Sequence, residues 1–147
     1  MSDTRKHVLI ADDDDIDIEV LRPVIESHGA IVSSVDSVDQ AKRFLDRARE
    51  AGEGIALVLL DWKLSGLGKG EAVLRAARES TFHEAMPVVV ISKSLAPGDV
   101  RDATRAGANA CVAKTLVLED YEAKIDATCR FWLLVAESPA APLEAAS

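Results

Sequence analysis

The sequence predicts an α/β fold in which five parallel strands form one doubly wound sheet. Strand-like and helix-like patterns alternate along most of the 147 residues, as expected for successive strand–helix units. Several short apolar runs are rich in β-branched residues and stop at turn signals, which predicts strands buried on both faces, as in parallel sheets. Right-handed crossovers between these units give the strand order 2-1-3-4-5.

The first half of the chain contains the patterns of three strands and two helices. We predict these strands at residues 6–11, 30–35 and 55–60. Between the first two strands, apolar residues spaced for one helical face predict a helix that ends at Gly29, and Pro23 inside it predicts a kink or a later start. Ser37 and Gln40 form a capping-box pattern at the start of the second helix, and Gly52 ends that helix.

The second half adds two strands and three helices. A glycine-rich loop at 61–70 precedes the third helix, and Pro87 opens the fourth strand. The fourth helix begins at Asp99 or a neighbouring residue and ends at Gly107. We predict the fifth strand and the last helix at residues 110–113 and 118–136.

Length and composition predict one globular domain at residues 1–136, followed by a disordered Ala- and Pro-rich tail at 137–147. The net charge of −8 argues against nucleic acid as a direct partner, because binding to phosphates needs clustered Lys and Arg. No apolar stretch approaches the ~20 residues that span a bilayer, and the N-terminus lacks a signal-peptide core, so we expect a cytoplasmic protein without membrane contact. Cys111 and Cys129 lie in apolar contexts, which favours free thiols in a reducing compartment over a disulfide.

Polar residues that can handle phosphate or a metal ion follow four of the predicted strands. Asp12 and Asp13 follow the first strand and Asp61 the third, whereas the fourth and fifth strands end at Ser92 and Lys114. Because ligands bind beyond the carboxyl ends of the strands in such sheets, we expect these side chains to converge. The sequence therefore predicts a Mg²⁺-assisted site that accepts a phosphoryl group.

Each residue type suits one part of that chemistry. The carboxylate of Asp61 can attack a phosphoryl group beside bound Mg²⁺, which Asp13, Asp61 and a water held by Asp12 can ligate. Ser92 can hydrogen-bond a phosphoryl oxygen, and Lys114 can neutralise its charge. Capping of the first helix accounts for only one of the four aspartates at 12–15, either Asp14 or Asp15.

This pattern resembles the receiver domain of two-component response regulators over roughly residues 6 to 130. The resemblance implies a flavodoxin-like fold and a signalling protein, not an enzyme with a separate substrate, that a sensor histidine kinase phosphorylates on Asp61. Ser92 would be the switch hydroxyl and Lys114 the ammonium that senses the phosphate. The implied Mg²⁺ ligands are Asp12, Asp13, Asp61 and the carbonyl group of Lys63.

The chain departs from the family pattern at three places. Cys111 occupies the aromatic switch position, so the usual ring rotation cannot occur, and Thr115 replaces the proline after the lysine, so a cis bond there is not expected. The loop after Asp61 also differs, at residues 63–66. In these departures and in its ending at 129–134, the chain is similar to the stand-alone response regulators that partner cyanobacterial and bacterial phytochromes. This resemblance implies a phytochrome-type kinase as the partner.

The last helix contains more apolar residues than one buried face needs. Its predicted core stripe consists of Tyr121, Ile125, Cys129, Trp132 and Ala136. Further apolar residues between 131 and 135 would lie on other faces, where a monomer would leave them in water. We expect a twofold dimer through Phe131, Trp132, Leu133 and Leu134, with a helix end covered by the tail as the alternative.

Two other functions remain open from the sequence. A small phosphatase similar to the haloacid dehalogenases would use Asp12, Asp14, Ser92 and Lys114, but it leaves Asp61 without a role. A pseudo-receiver, an interaction module that no longer needs phosphate, is compatible with Cys111, although the complete acidic site argues against it.

Overall fold

The computed structural model describes residues 5–137, in which five strands and five α-helices alternate. The strands are β1 (His7–Ala11), β2 (Ile31–Val35), β3 (Leu57–Asp61), β4 (Val88–Ser92) and β5 (Ala110–Ala113). The helices are α1 (Asp15–Glu26), α2 (Val38–Ala51), α3 (Lys69–Glu79), α4 (Pro97–Ala106) and α5 (Leu118–Cys129), and α5 continues as a π-helix (Arg130–Val135). The predicted tail lies outside the described residues except for Glu137, which is exposed.

The strands form one parallel sheet in the order β2-β1-β3-β4-β5, which confirms the predicted fold. Successive side chains of a strand point to opposite faces. Accordingly Leu9 and Ala11 of β1 pack with α2 and α3, whereas Val8 and Ile10 pack with α1 and α5. The sheet therefore separates two hydrophobic cores, and both of its faces are covered by helices.

The register of the strands brings their carboxyl ends to the same level. Ala11 pairs with Leu60, so the residues that follow β1 lie beside Asp61. Asp61 pairs with Ile91, and Ser92 pairs with Ala113 of β5. The polar residues that end these strands consequently share one edge of the sheet.

Polar side chains fix the starts of the first two helices. Asp14 caps α1, because its carboxylate accepts hydrogen bonds from the N–H groups of Ile16 and Asp17. The helix runs from Asp15 through Pro23, so the alternative of a later start is wrong.

The second helix matches only half of its predicted cap. Ser37 Oγ accepts from the N–H of Gln40 at 3.2 Å, as the capping-box pattern predicts. The side chain of Gln40, however, accepts from the N–H of Asp36 and not from that of Ser37, so the reciprocal half of the box is wrong. Helix α4 begins at Pro97, two residues before the predicted start at Asp99. The carboxylate of Asp99 accepts a hydrogen bond from the N–H of Ala96, the residue that precedes the helix.

The end of the last helix differs from the prediction. From Arg130 the helix is wider, and the N–H of Ala136 donates to the carbonyl of Phe131 at 2.7 Å, the i→i+5 bond of a π-helix. In the wider turn, residues spaced by four stay on one side, so Leu133 continues the buried row of Tyr121, Ile125 and Cys129. The predicted core positions Trp132 and Ala136 are only half-buried.

Leu133 is therefore not part of an exposed surface, and its assignment to the dimer contact is wrong. Its side chain is 2% exposed and belongs to the core under α1 and α5. Its carbonyl accepts a hydrogen bond from Nζ of Lys6, which lies just before β1. This bond joins the end of the helix to the start of the sheet.

Two further expectations concern covalent and membrane features. Cys111 and Cys129 are both free thiols, so the disulfide alternative is wrong. Among residues 5–137, none of the helices combines the length and the apolar composition that crossing a bilayer requires.

Candidate functional site

Carboxylates, a hydroxyl group and an ammonium group meet at the carboxyl edge of the sheet. Asp12, Asp61, Ser92 and Lys114 are all buried there, and Asp13 is exposed beside them. Carboxylate oxygens of Asp12, Asp13 and Asp61 lie within 4.8 Å of one another. The structure thus brings together the five residues that the sequence placed at strand ends.

Lys114 lies between three carboxylates. Its Nζ donates to Oδ2 of Asp12 at 2.7 Å and to Oδ2 of Asp17 at 2.9 Å, and it lies 3.6 Å from Oδ2 of Asp61. Burial alone would lower the pKa of Lys114, but the hydrogen bonds to Asp12 and Asp17 raise it above its usual range. The ammonium group is therefore charged and shared between α1 and the end of β3.

Asp17 is a site residue that sequence reasoning missed. It lies in the first turn of α1, where its N–H donates to the capping carboxylate of Asp14. A usable signal was present, since Asp17 follows the capping residue Asp14 by three positions and so lies in the first turn of α1, next to the carboxyl end of β1. The ends of the strands predict only residues that follow a strand directly, and Asp17 belongs to a helix.

The carboxylate of Asp12 is fully buried and holds the loop after β1 in place. It accepts hydrogen bonds from the N–H of Asp14 at 3.0 Å and from Lys114. Burial raises the pKa of Asp12 to about 6, although the hydrogen bond from Lys114 acts in the opposite direction. Both Asp12 oxygens are engaged, so Asp12 is better suited to hold a metal-bound water than to ligate a metal directly.

The loop after β3 orients the carboxylate of Asp61. Oδ1 of Asp61 accepts from the N–H of Lys63 at 3.0 Å, which leaves Oδ2 directed toward Lys114. The start of α3 lies directly against this loop: a Cβ atom at Gly70 would be 2.6 Å from the carbonyl oxygen of Asp61 and 2.9 Å from Cα of Trp62. Only glycine fits this approach, so Gly70 is a structural requirement of the site.

Serine hydroxyls support the remaining groups. Ser65 Oγ donates to Oδ2 of Asp13 at 2.5 Å and so orients the exposed carboxylate. Ser92 Oγ accepts from the N–H of Ser94 at 3.3 Å, and Ser94 Oγ accepts from Nζ of Lys63 at 2.7 Å. Ser65 and Ser94 were not predicted, because their roles depend on loop conformation.

The donor set fits a hard divalent cation. Mg²⁺ takes oxygen ligands at about 2.0–2.1 Å in an octahedral arrangement, so its ligand atoms lie no more than about 4 Å apart. The oxygens of Asp13 and Asp61, which lie within 4.8 Å of each other, need to close by less than an ångström to reach that separation. Asp13 and Asp61 keep lone pairs free for such an ion, whereas sulfur and imidazole ligands are absent from this cluster.

Comparisons with known proteins agree with this geometry. Residues 8–126 match the family described as the response regulator receiver domain. The two-component response regulator ORR8 of Oryza sativa subsp. indica is 27% identical over 114 residues, which cover 78% of this chain and 90% of that protein. The two-component response regulator ARR7 of Arabidopsis thaliana is 25% identical over 124 residues, or 79% of this chain and 59% of that protein.

Solved structures show the same fold. The phosphorylated cyanobacterial phytochrome response regulator RcpA has a TM-score of 0.83 at 23% identity, and the alignment covers 92% of this chain and 99% of RcpA. Response regulator RPA3017, in red light signaling of R. palustris, has a TM-score of 0.72 at 27% identity, with 91% of this chain and 98% of that chain covered.

Proposed function

The chain belongs to the response regulator receiver family, and from that premise we propose that it accepts a phosphoryl group on Asp61 from a sensor histidine kinase. One observation carries the proposal. Asp61 ends the central strand of the sheet with two other carboxylates within 4.8 Å and with Lys114 Nζ 3.6 Å from its Oδ2. This combination suits a nucleophilic carboxylate whose product carries additional negative charge.

The transfer needs a phosphohistidine as the donor. An oxygen of Asp61 attacks the phosphorus, the P–N bond breaks as the P–O bond forms, and the released histidine nitrogen takes a proton from solvent. Lys114 contacts the developing charge, and the hydroxyl of Ser92 donates to a phosphoryl oxygen once it leaves its contacts with Ser94.

We propose Mg²⁺ as the cofactor, with Asp13 and Asp61 as direct ligands. Asp12 would hold a ligand water, since its oxygens already accept from Lys114 and the N–H of Asp14. The carbonyl group of Lys63 completes the proposed set. When bound, the ion supplies positive charge that offsets the charge of the phosphoryl oxygens.

The rim of the site suits a protein donor. Three large apolar side chains on separate loops or helix starts are strongly exposed there: Ile16 at 73%, Leu67 at 95% and Leu116 at 101%. All three follow carboxyl ends of strands, as the site residues do. An apolar rim around an acidic centre favours the docking of another protein over the entry of a small phosphate ester.

A phytochrome-type kinase is the proposed donor. RPA3017 acts in red light signaling and RcpA is a phytochrome response regulator, and both share the fold and nearly the full length of this chain. The apolar ending at 131–135 and Thr115 after Lys114 support the same partner through the resemblance stated above.

The test is phosphoryl transfer in vitro. A phytochrome-type histidine kinase, autophosphorylated with labelled ATP, should transfer its label to this chain as an acid-stable, base-labile acyl phosphate. The variant D61N should take up no label, because an amide oxygen is too weak a nucleophile, whereas D15N, which changes an exposed aspartate of the α1 first turn, should label as the wild type does. Label that persists in D61N would move the acceptor elsewhere. Labelled acetyl phosphate, a small phosphoryl donor, tests Asp61 as the acceptor independently of the kinase. If acetyl phosphate labels the chain and the kinase does not, Asp61 stays the proposed acceptor and the phytochrome-type kinase is rejected as the donor.

We also propose that the exposed part of the π-helix binds a second copy of the chain. Phe131, Leu134 and Val135 are 49%, 60% and 65% exposed, and the half-buried Trp132 supports Phe131 through an edge-to-face contact at 5.0 Å. Burying large side chains of this kind contributes roughly 1.5–3 kcal/mol each. A twofold axis would bury each of them against its copy or a neighbour.

Sedimentation tests the dimer. Leu134→Glu should give a monomer at micromolar concentration, and Leu67→Glu, which changes an equally apolar and even more exposed residue in the loop before α3, should not. A wild-type protein that stays monomeric with and without a phosphoryl mimic would reject the dimer. Truncation after Arg130 is unsuitable because it removes the buried Leu133.

Neither alternative function explains the geometry as well. The phosphatase hypothesis needs a free carboxylate at Asp14, but that carboxylate caps α1 and accepts two backbone hydrogen bonds. The pseudo-receiver hypothesis assumes a module that works without phosphate, so transfer of a labelled phosphoryl group to Asp61 would exclude it.

A further inference from the structure

The ammonium group of Lys114 is held on the α1 side of the site. Its two short hydrogen bonds go to Asp12 and Asp17, and the 3.6 Å separation from Asp61 is an ion-pair distance without a hydrogen bond. A lysine has three N–H donors. Two of them are used by carboxylates that are not the proposed phosphoacceptor.

Asp17 is a carboxylate that can release the lysine. It lies in the first turn of α1, where the unpaired N–H groups and the helix dipole stabilise a negative charge. Its side chain is also partly exposed, at 18%, whereas that of Asp12 is fully buried. Loss of Lys114 is therefore less unfavourable for Asp17 than for Asp12.

Tyr121 of α5 supplies a hydrogen-bond donor without an acceptor. Its side chain is 2% exposed, and its hydroxyl is buried and has no hydrogen-bond partner among the described residues. A buried hydroxyl in that state costs free energy, so an acceptor that became available would be used. The Tyr121 ring packs in one core with Ile18 and Leu21 of α1, the helix that carries Asp17. Burial raises the pKa of the Tyr121 hydroxyl, and the charges of Lys114 and Asp17 also act on it.

We propose that Asp17 and Tyr121 connect the state of Asp61 to α5. When a phosphoryl group is on Asp61, Lys114 moves to its oxygens, and the released carboxylate of Asp17 accepts a hydrogen bond from the Tyr121 hydroxyl. Asp17 and Tyr121 are positioning residues in this scheme, and the scheme rests on the proposed phosphorylation of Asp61.

The arrangement accounts for how a signal can leave a site that has a cysteine where an aromatic ring is expected. Cys111 is half-buried on β5 and cannot rotate as a ring does. Tyr121, in contrast, begins the buried row that continues through Ile125 and Cys129 to Leu133. A displacement of Tyr121 is thus passed along the face of α5 toward the proposed dimer surface.

The chain contains a single tyrosine, which makes a direct test possible. With ¹³C-tyrosine incorporated, one Cζ resonance reports on Tyr121 alone. Saturation with Mg²⁺ and beryllofluoride, which mimics a phosphoryl group on a carboxylate, should move this resonance downfield as the hydroxyl donates to Asp17. Fluorine NMR of the bound beryllofluoride shows occupancy independently. Occupancy without a change at Tyr121 would overturn the inference and leave the proposed function intact; failure of beryllofluoride to bind would overturn both.

Matched alanine variants separate Asp17 from its surroundings. Asp17→Ala should abolish the downfield change and tighten beryllofluoride binding by about two- to tenfold, because Lys114 no longer has to leave a competing carboxylate. Asp15→Ala removes the same charge from the same helical turn and should leave both measurements as in the wild type. A Tyr121 response that persists in Asp17→Ala would overturn the inference.

A third variant tests the tyrosine itself. Tyr121→Phe keeps the ring in the core and removes only the hydroxyl. It should bind beryllofluoride about two- to tenfold more weakly than the wild type, because a hydrogen bond that forms only in the bound state is lost, and the accompanying changes in the backbone amide resonances of α5 should become smaller. Undiminished amide changes in Tyr121→Phe would show that the signal reaches α5 by another route and would overturn the inference.

Discussion

The carboxyl edge of the sheet and the end of the last helix fix their side chains by different forces. At the edge, each charged group has directional partners: Lys114 contacts three carboxylates, and Asp61 accepts from the N–H of Lys63. At the helix end, the side chain of Leu133 is fixed by burial and only its carbonyl group has a directional partner, Lys6, while its neighbours Phe131 and Leu134 are largely exposed. Directional contacts define positions to a fraction of an ångström, whereas apolar packing accepts several helix geometries. The first region therefore suits chemistry and the second suits a replaceable contact with another protein.

Removal of metal should have the largest effect and act on the edge alone. In EDTA, phosphorylation of Asp61 should fall by at least two orders of magnitude, since the three clustered carboxylates then repel the incoming group. Asp13→Ala should weaken Mg²⁺ binding on the order of 100-fold and Asp12→Ala about 10-fold, because a direct ligand contributes more than a residue that holds a water. Calorimetric Mg²⁺ titration measures both. Equal labelling in EDTA and in Mg²⁺ would contradict the site.

The two adjacent leucines of the π-helix should differ sharply in stability. Leu133→Ala should lower the free energy of unfolding by about 2–5 kcal/mol, because it empties a buried core position. Leu134→Ala should change it by no more than about 0.5 kcal/mol, since that side chain is 60% exposed. Urea unfolding at a concentration that keeps the protein monomeric is the measurement. The opposite order would mean that Leu133 does not continue the buried row of α5.

Gly70→Ala should change the shape of the loop at the carboxyl edge of the sheet without changing the charge of the site. The added methyl group meets the backbone of Asp61 and Trp62, so we expect a loss of about 1–3 kcal/mol in stability and slower labelling of Asp61. Gly98→Ala is the matched control, because its Cβ meets nothing within 4 Å and helix propensity favours alanine. If both variants unfold at the same urea concentration, the close approach of α3 is not a constraint.

The smallest effect concerns the bond that joins the helix end to the start of β1. Lys6→Met should lower stability by about 0.5–1 kcal/mol, because the hydrogen bond from Lys6 to the carbonyl of Leu133 is lost at a partly exposed position. Hydrogen exchange of the π-helix amides should increase in this variant. Lys42→Met, at an exposed position of α2, should leave that exchange unchanged.

The sequence predicted the edge well because its argument depends on strand ends. Apolar runs stop where the chain leaves the sheet, so the positions of Asp61 and Lys114 follow from topology. Asp17 was missed since it reaches the site from a helix, and the orientation of Asp13 by Ser65 depends on a loop conformation that no spacing encodes. At the helix end, an α-helical period of 3.6 residues predicted Trp132 and Ala136 as core positions and missed Leu133. The prediction failed there because the chain forms the wider turn of a π-helix.

The fully buried carboxylate of Asp12 also bears on which substitutions the chain tolerates at this position. Isolated from water beside two other acidic groups, Asp12 has a pKa raised to about 6, which means that the folded chain is less stable for keeping it ionised at neutral pH. Replacement by a neutral residue would remove this cost, but it would also leave the buried ammonium group of Lys114 with one carboxylate partner fewer. The two buried charges of Asp12 and Lys114 therefore depend on each other, and a substitution that neutralises only one of them leaves the other without its short-range counter-charge.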